Sequence, residues 1–183
     1  MKIACLGWGS LIWKQEQLPV KGEWQMDGPA LPIEFCRIGE AGELATAICV
    51  NAAPLPVLWA WLGTEDLAAA RHALTLREGI PASRPDGVGS LTVTERPVGI
   101  LAEWAKARGI EAVIWTALPA RSDSVEGKIP SAEEAIAYLS GLEGEKRHHA
   151  RRYIERVPAQ LTTPYRRAIV EALGWAMPDN LNV

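Results

Sequence analysis

Apolar residues along this chain follow two rhythms. Short runs bounded by glycine and proline occupy residues 2–6, 31–38, 43–50, 56–62 and 110–118. Their length and their content of Ile, Val, Trp and Thr predict strands. The runs "LPIEFCRI" and "ELATAICV" are joined by "GEAG", whose glycines fit a tight turn, so this pair predicts a β-hairpin. A further short strand is predicted in "SLTVTE", at 90–95. Elsewhere apolar positions recur at three- and four-residue spacing. One such stretch, "EDLAAARHALTLRE", predicts a helix from an N-cap at Thr64 to about residue 78, stopped by Gly79. Glu65 and Asp66 then fall in its first turn, where the helix dipole favours acids. "PVGILAEWAKARG" predicts a second helix with Pro97 at its start and Gly109 at its end.

The last third is helical in pattern, at about 132–141, 145–156 and 163–173. Ser131 and Glu134 have the spacing of a capping box. Pro158 and Pro164 divide these helices, and Gly174 ends the last. Strands early and helices late predict an α+β fold in one domain over 1–183, with a sheet-rich core over about 1–118 and a helical part over about 130–175. No internal repeat or low-complexity stretch interrupts it.

Composition narrows the function classes. The chain has 183 residues, 48% of them hydrophobic, and a formal net charge of -3, which fits a globular protein with a real core. The mild acidity argues against nucleic acid as the main partner. No apolar run is long enough to span a bilayer, and "MKIACLGWG" opens as a strand rather than as a basic stretch leading an apolar signal segment. The expectation is a cytoplasmic protein. Cys5, Cys36 and Cys49 are odd in number and lack CxxC spacing, so reduced thiols packed in strands are expected. Eight tryptophans against one phenylalanine put indole N–H groups where each needs a partner.

Several motifs fail on spacing. "GWG" after the first strand suggests a dinucleotide fingerprint, but the third glycine would fall at Ile12. Gly127-Lys128 is followed by Ile129, not by the Ser or Thr of a phosphate loop. A nucleophile elbow at Ser10 needs glycines where Trp8 and Ile12 stand. His148 and His149 are adjacent on a helix and point apart, in what reads as a solvated basic face, and His72 reads as a surface histidine. No metal-ligand spacing is present.

Two features remain. In "LGWGSL", Gly7 and Gly9 permit unusual backbone angles and close approach of a ligand. Successive amides there form a candidate nest for a carboxylate, with the Ser10 hydroxyl and the Trp8 ring beside it. A tight connecting turn is the alternative. Second, Leu67, Leu74 and Glu78 share one helix face, with Ala70 beside them. Glu78 thus extends an apolar stripe at a helix C-terminus, where burial and the dipole both disfavour its charge, and a raised pKa is expected. Arg77 points elsewhere. Such a carboxyl is a candidate acid/base group, or else one satisfied by a buried partner.

Together, "GWGSLIW" followed by a hairpin and a helix ending in "LREG" resembles the gamma-glutamylcyclotransferase family. The loop is similar to the "YGSLIW" form of its glutathione-specific branch, with Trp8 where the family has tyrosine. The resemblance spans about residues 3–118 in organisation. It implies a small mixed β-barrel with flanking helices. Gly7, Trp8, Gly9, Ser10 and Leu11 would bind the glutamyl part of a small-molecule substrate, with Glu78 close by as general acid/base. No metal or organic cofactor is implied. The implied activity is release of 5-oxoproline from a γ-glutamyl peptide or amine. The alternative is a non-catalytic binding module for a small carboxylate or amino-acid derivative; a scaffold whose helical tail docks a partner is a third reading.

Overall fold

The structure, a computed structural model, describes residues 1–176. Residues 177–183 of the domain expected over 1–183 lie outside the described part. In chain order the strands are β1 (Ile3–Gly7), β2 (Val20–Gln25), β3 (Ala30–Ile38), β4 (Leu44–Ile48), β5 (Pro54–Pro56), β6 (Leu58–Leu62), β7 (Val88–Thr92), β8 (Ala112–Thr116), β9 (Arg121–Ser122) and β10 (Val125–Glu126). The helices are α1 (Leu67–Glu78), α2 (Ile100–Ala107), α3 (Ala132–Ser140), α4 (Gly144–Arg156) and α5 (Pro164–Leu173). This is an α+β fold with two mixed sheets, one of them curled into a half-barrel. The chain gathers into two compact units. The first contains Met1–Gly7, Leu11–Leu31 and Leu55–Leu118; the second contains Trp8–Ser10, Pro32–Pro54 and the chain from Pro119 onward.

In the first unit the sheet order is β2-β6-β1-β8-β7. β1 lies in the middle, antiparallel to β6 (Cys5 opposite Ala60, Gly7 opposite Leu58) and parallel to β8 (Cys5 opposite Ile114). All five of its residues are buried, which is why they read as an unbroken apolar run rather than an alternation. One face, carrying Ile3 and Cys5 with Ala112 and Ile114, packs against Ala70 and Leu74 of α1. Burying a side chain such as Leu74 contributes about 1.5–3 kcal/mol. The other face carries Trp59, which meets Trp104 of α2 edge-on with ring centroids 5.5 Å apart. Asp27 ties this side together. It accepts hydrogen bonds from the Trp59 indole (2.7 Å) and from Arg108 (3.0 Å), and these two partners hold its carboxyl below its usual pKa.

In the second unit β3 and β4 form the expected hairpin, with a register shift between Phe35 and Arg37. The capping box of α3 is present: the Ser131 hydroxyl accepts from the Glu134 amide, and the Glu134 carboxylate accepts from the Ser131 amide. α5 begins with Thr163 as N-cap and Pro164 in its first turn. Arg166 in α5 is fully buried and donates to the carbonyls of Ile154, Val157, Pro158 and Leu161 at the end of α4 and just beyond. It thereby satisfies carbonyls that a helix C-terminus leaves open. Burial lowers its pKa to about 10, which still leaves the guanidinium charged at neutral pH. Cys5, Cys36 and Cys49 are free and buried.

Several boundaries differ from expectation. The N-cap of α1 is Asp66, whose carboxylate accepts from the Ala68 amide at 3.0 Å; Thr64 instead accepts from the Asp66 amide. A charged acceptor suits the dipole better than a hydroxyl, so the helix starts later and neither Glu65 nor Asp66 lies in its first turn. α2 begins at Ile100 after Gly99, leaving Pro97 outside. The strand expected at 90–95 lies at Val88–Thr92, where pairing with β8 sets it: Val88 opposite Thr116 through Thr92 opposite Ala112. β2 had no signal, because an edge strand reading "VKGEWQ" lacks apolar alternation. β9 and β10 flank Asp123 and Ser124, both with positive φ (51° and 61°), which form a two-residue hairpin turn. Among the described residues no helix is long and apolar enough to cross a membrane.

Candidate functional site

Glu78 is the last residue of α1, whose left-handed C-cap is Gly79. Its helix face is the one that packs on β1 and β8 through Leu74. The carboxyl is held at the sheet rather than in solvent, with the side chain 20% exposed. Its Oε1 accepts a hydrogen bond from the Thr116 hydroxyl at 3.2 Å. Thr116 ends β8 two residues beyond Ile114, so strand alternation puts both on the same face. Cys5 is on that face of β1. Its thiol is pushed up in pKa, first by complete burial and second by the negative charge of Glu78. A carboxyl and a hydroxyl therefore meet at the end of α1, on the sheet face that also carries the buried Cys5.

Arg77 does not point wholly away. Its Nη1 stands 3.8 Å from Glu78 Oε1, while its Nε donates to the Lys14 carbonyl at 2.8 Å. The arrangement suits proton exchange. A carboxyl largely shielded from water beside hydrogen-bonding groups can take up and return a proton near a bound ligand.

The loop residues divide between the two units. Gly7 and Leu11 belong to the first, with Glu78; Trp8, Gly9 and Ser10 belong to the second. Leu11 is in the apolar cluster with Cys5 and Leu74. Ser10 opens a short 3-10 turn, Ser10–Ile12. Trp8 is buried, and its carbonyl accepts from the Thr46 hydroxyl at 2.7 Å. The hydroxyl of Tyr153, from α4, accepts from the Thr46 amide at 3.2 Å and lies 3.1 Å from the Thr46 hydroxyl.

The two glycines are there for a reason other than the expected backbone angles, since neither has a positive φ. Each is a place where another side chain presses on the backbone. A Cβ at Gly7 would stand 2.5 Å from the Trp24 ring, and one at Gly9 would stand 2.5 Å from the Tyr153 hydroxyl. Thr116, Trp24, Thr46 and Tyr153 carried no sequence signal as site residues. Thr116 alone was within reach, as the polar end of an apolar strand. Among the described residues no group of three or more His, Cys, Asp or Glu is placed to hold a metal ion. No protein-family model matches the chain, and neither does any curated protein or any solved structure.

Proposed function

We propose that the protein is a gamma-glutamylcyclotransferase-like enzyme, with Glu78 as general acid/base and the amides of residues 7–11 as the binding loop for the glutamyl group. The observation that carries this reading is the placement of Glu78: an acid at the apolar end of α1, accepting from Thr116 and close enough to Cys5 to raise its pKa. The "GWGSLIW" and "LREG" resemblance supplies the reaction, and the half-barrel curl of one sheet favours the family's small mixed barrel.

In that reaction the α-amine of a γ-glutamyl group attacks its own γ-carbonyl carbon. A C–N bond forms to close the five-membered lactam of 5-oxoproline, and the original amide C–N bond breaks to release an amine. Both reactants belong to one molecule, so the enzyme contributes geometry and proton movement rather than a nucleophile. Glu78 takes a proton from the attacking nitrogen and delivers one to the departing nitrogen. Loop amides hold the α-carboxylate.

Trp8 in place of the family's tyrosine favours the second reading, a non-catalytic binding module for a small carboxylate. Incubation with γ-glutamyl peptides and γ-glutamyl amines, followed by detection of 5-oxoproline, separates the two. Release supports the enzyme; binding of these compounds without release supports the module.

A further inference from the structure

Arg77 is placed unlike an ordinary base at a helix end. In the last turn of α1 a cationic side chain is expected in solvent, facing the open carbonyls of its own helix. The Arg77 side chain is instead only 10% exposed, and its guanidinium reaches two different parts of the first unit. Nε donates to the Lys14 carbonyl at 2.8 Å, across 63 residues of sequence. Nη1 stands 3.8 Å from Oε1 of Glu78.

Both ends of that link bear on the proposed site. Lys14 follows the 3-10 turn Ser10–Ile12, so its carbonyl is a point where the segment leaving the glycine loop is tied to α1. Leu11 in the same segment belongs to the apolar cluster that includes Leu74, one turn before Glu78. At the other end, Oε1 is the oxygen that also accepts from the Thr116 hydroxyl at 3.2 Å. The carboxyl is thus approached by a hydroxyl from β8 and by a guanidinium from α1. A glutamate side chain has several rotatable bonds and does not keep one orientation unaided, so each fixed contact narrows where its oxygens stand.

We infer that Arg77 is a positioning residue for Glu78: its guanidinium bridges the acid/base carboxyl to the Leu11–Lys14 segment and sets where that carboxyl stands relative to the end of the binding loop. The inference rests on the cyclotransferase reading. Glu78 must meet first the attacking and then the departing nitrogen of one bound substrate, and a misplacement of about 1 Å costs about 10²-fold in rate. Arginine suits the task because its planar fork offers N–H groups on fixed, separate edges, whereas lysine carries the same charge on a single nitrogen.

The test compares wild type with Arg77→Lys and Arg77→Gln. Arg77→Lys keeps the positive charge and gives up the two-point geometry. Both variants should lose about 10- to 100-fold in kcat with KM little changed, because the loop amides still hold the substrate. Turnover near that of wild type in Arg77→Lys would mean that charge alone matters, and a loss confined to KM would mean that Arg77 only supports the loop; either result overturns the inference. Side-chain and carbonyl 13C resonances, recorded without substrate, read the bridge itself. The Glu78 carboxyl resonance, identified by its loss in Glu78→Gln, and the Lys14 carbonyl resonance should both move in Arg77→Lys. A resonance unmoved at either end overturns the bridge. If the Arg77 variants fail to fold, Glu78→Gln decides: it should shift the side-chain 15N resonances of Arg77, and unmoved resonances overturn the inference. Wild-type protein that releases no 5-oxoproline fails the cyclotransferase reading alone, and the resonances then uphold or overturn the bridge without it.

Discussion

Gly9→Ala puts a single methyl group where the structure has no room. Its Cβ would stand 2.5 Å from the Tyr153 hydroxyl and 2.8 Å from the Thr46 hydroxyl, against ordinary contact at 3.4–4 Å. Neither oxygen can retreat freely, because Thr46 bonds the Trp8 carbonyl and Tyr153 bonds the Thr46 amide. Overpacking of this kind combined with a disturbed buried hydrogen bond costs about 2–4 kcal/mol. That corresponds to a melting temperature lower by roughly 5–15 °C for a chain of this length. The same substitution in a Thr46→Ala/Tyr153→Phe background meets neither oxygen; the next nearest atom is the ring Cζ at 3.6 Å, an ordinary contact. Gly9→Ala should then be nearly neutral, and the cycle should show a coupling of about 2–4 kcal/mol, the whole of that cost. Thermal unfolding of the four proteins measures it. An equal cost in both backgrounds would refute the account of Gly9 as a site of close approach.

Two further tests probe the buried charges of the second unit. Arg166→Met leaves the four carbonyls at the end of α4 and just beyond it without their donor and should cost about 3–5 kcal/mol, read by urea denaturation; a loss under about 1 kcal/mol would mean that water replaces the guanidinium freely. Glu34 is buried in β3 and accepts from Thr163 and from the Phe35 and Tyr165 amides; burial nonetheless raises its pKa above the ordinary 4.5. The folded state therefore holds this proton more tightly than the unfolded chain. Its stabilising effect is fully present below the unfolded pKa and is lost as pH rises through the folded one. The stability of the wild type relative to Glu34→Gln should accordingly fall as pH rises from about 4 through the next units; a relative rise over that window would contradict the assignment.

What the sequence revealed was whatever is decided within a few residues. The β3–β4 hairpin followed from two apolar runs around glycines, and α3 from the spacing of Ser131 and Glu134. Glu78 was visible because helix periodicity places it on the face of Leu74, and burial of that face follows from the pattern itself. What was hidden depends on partners distant in sequence. Gly9 is small because of Thr46 and Tyr153, the latter more than a hundred residues away, and nothing near Gly9 announces either. Gly7 is small because of Trp24, which sits on an edge strand too polar to be read as one. The start of α1 shows the same limit on a smaller scale: Thr64 and Asp66 are both good caps, and only the fold chooses between them.

The central claim is that Glu78 moves the protons of a cyclisation, and Glu78→Gln tests it most directly. Glutamine keeps the shape of the side chain but cannot take up and return a proton. 5-Oxoproline release and thermal unfolding, measured together on wild type and Glu78→Gln, give the answer. The account predicts release lower by about 10²-fold or more, with the melting temperature retained or raised, because an acid on the apolar face of a helix C-terminus is costly when ionised. Undiminished release from Glu78→Gln would contradict the catalytic assignment, and a large fall in melting temperature would instead mark Glu78 as a structural anchor.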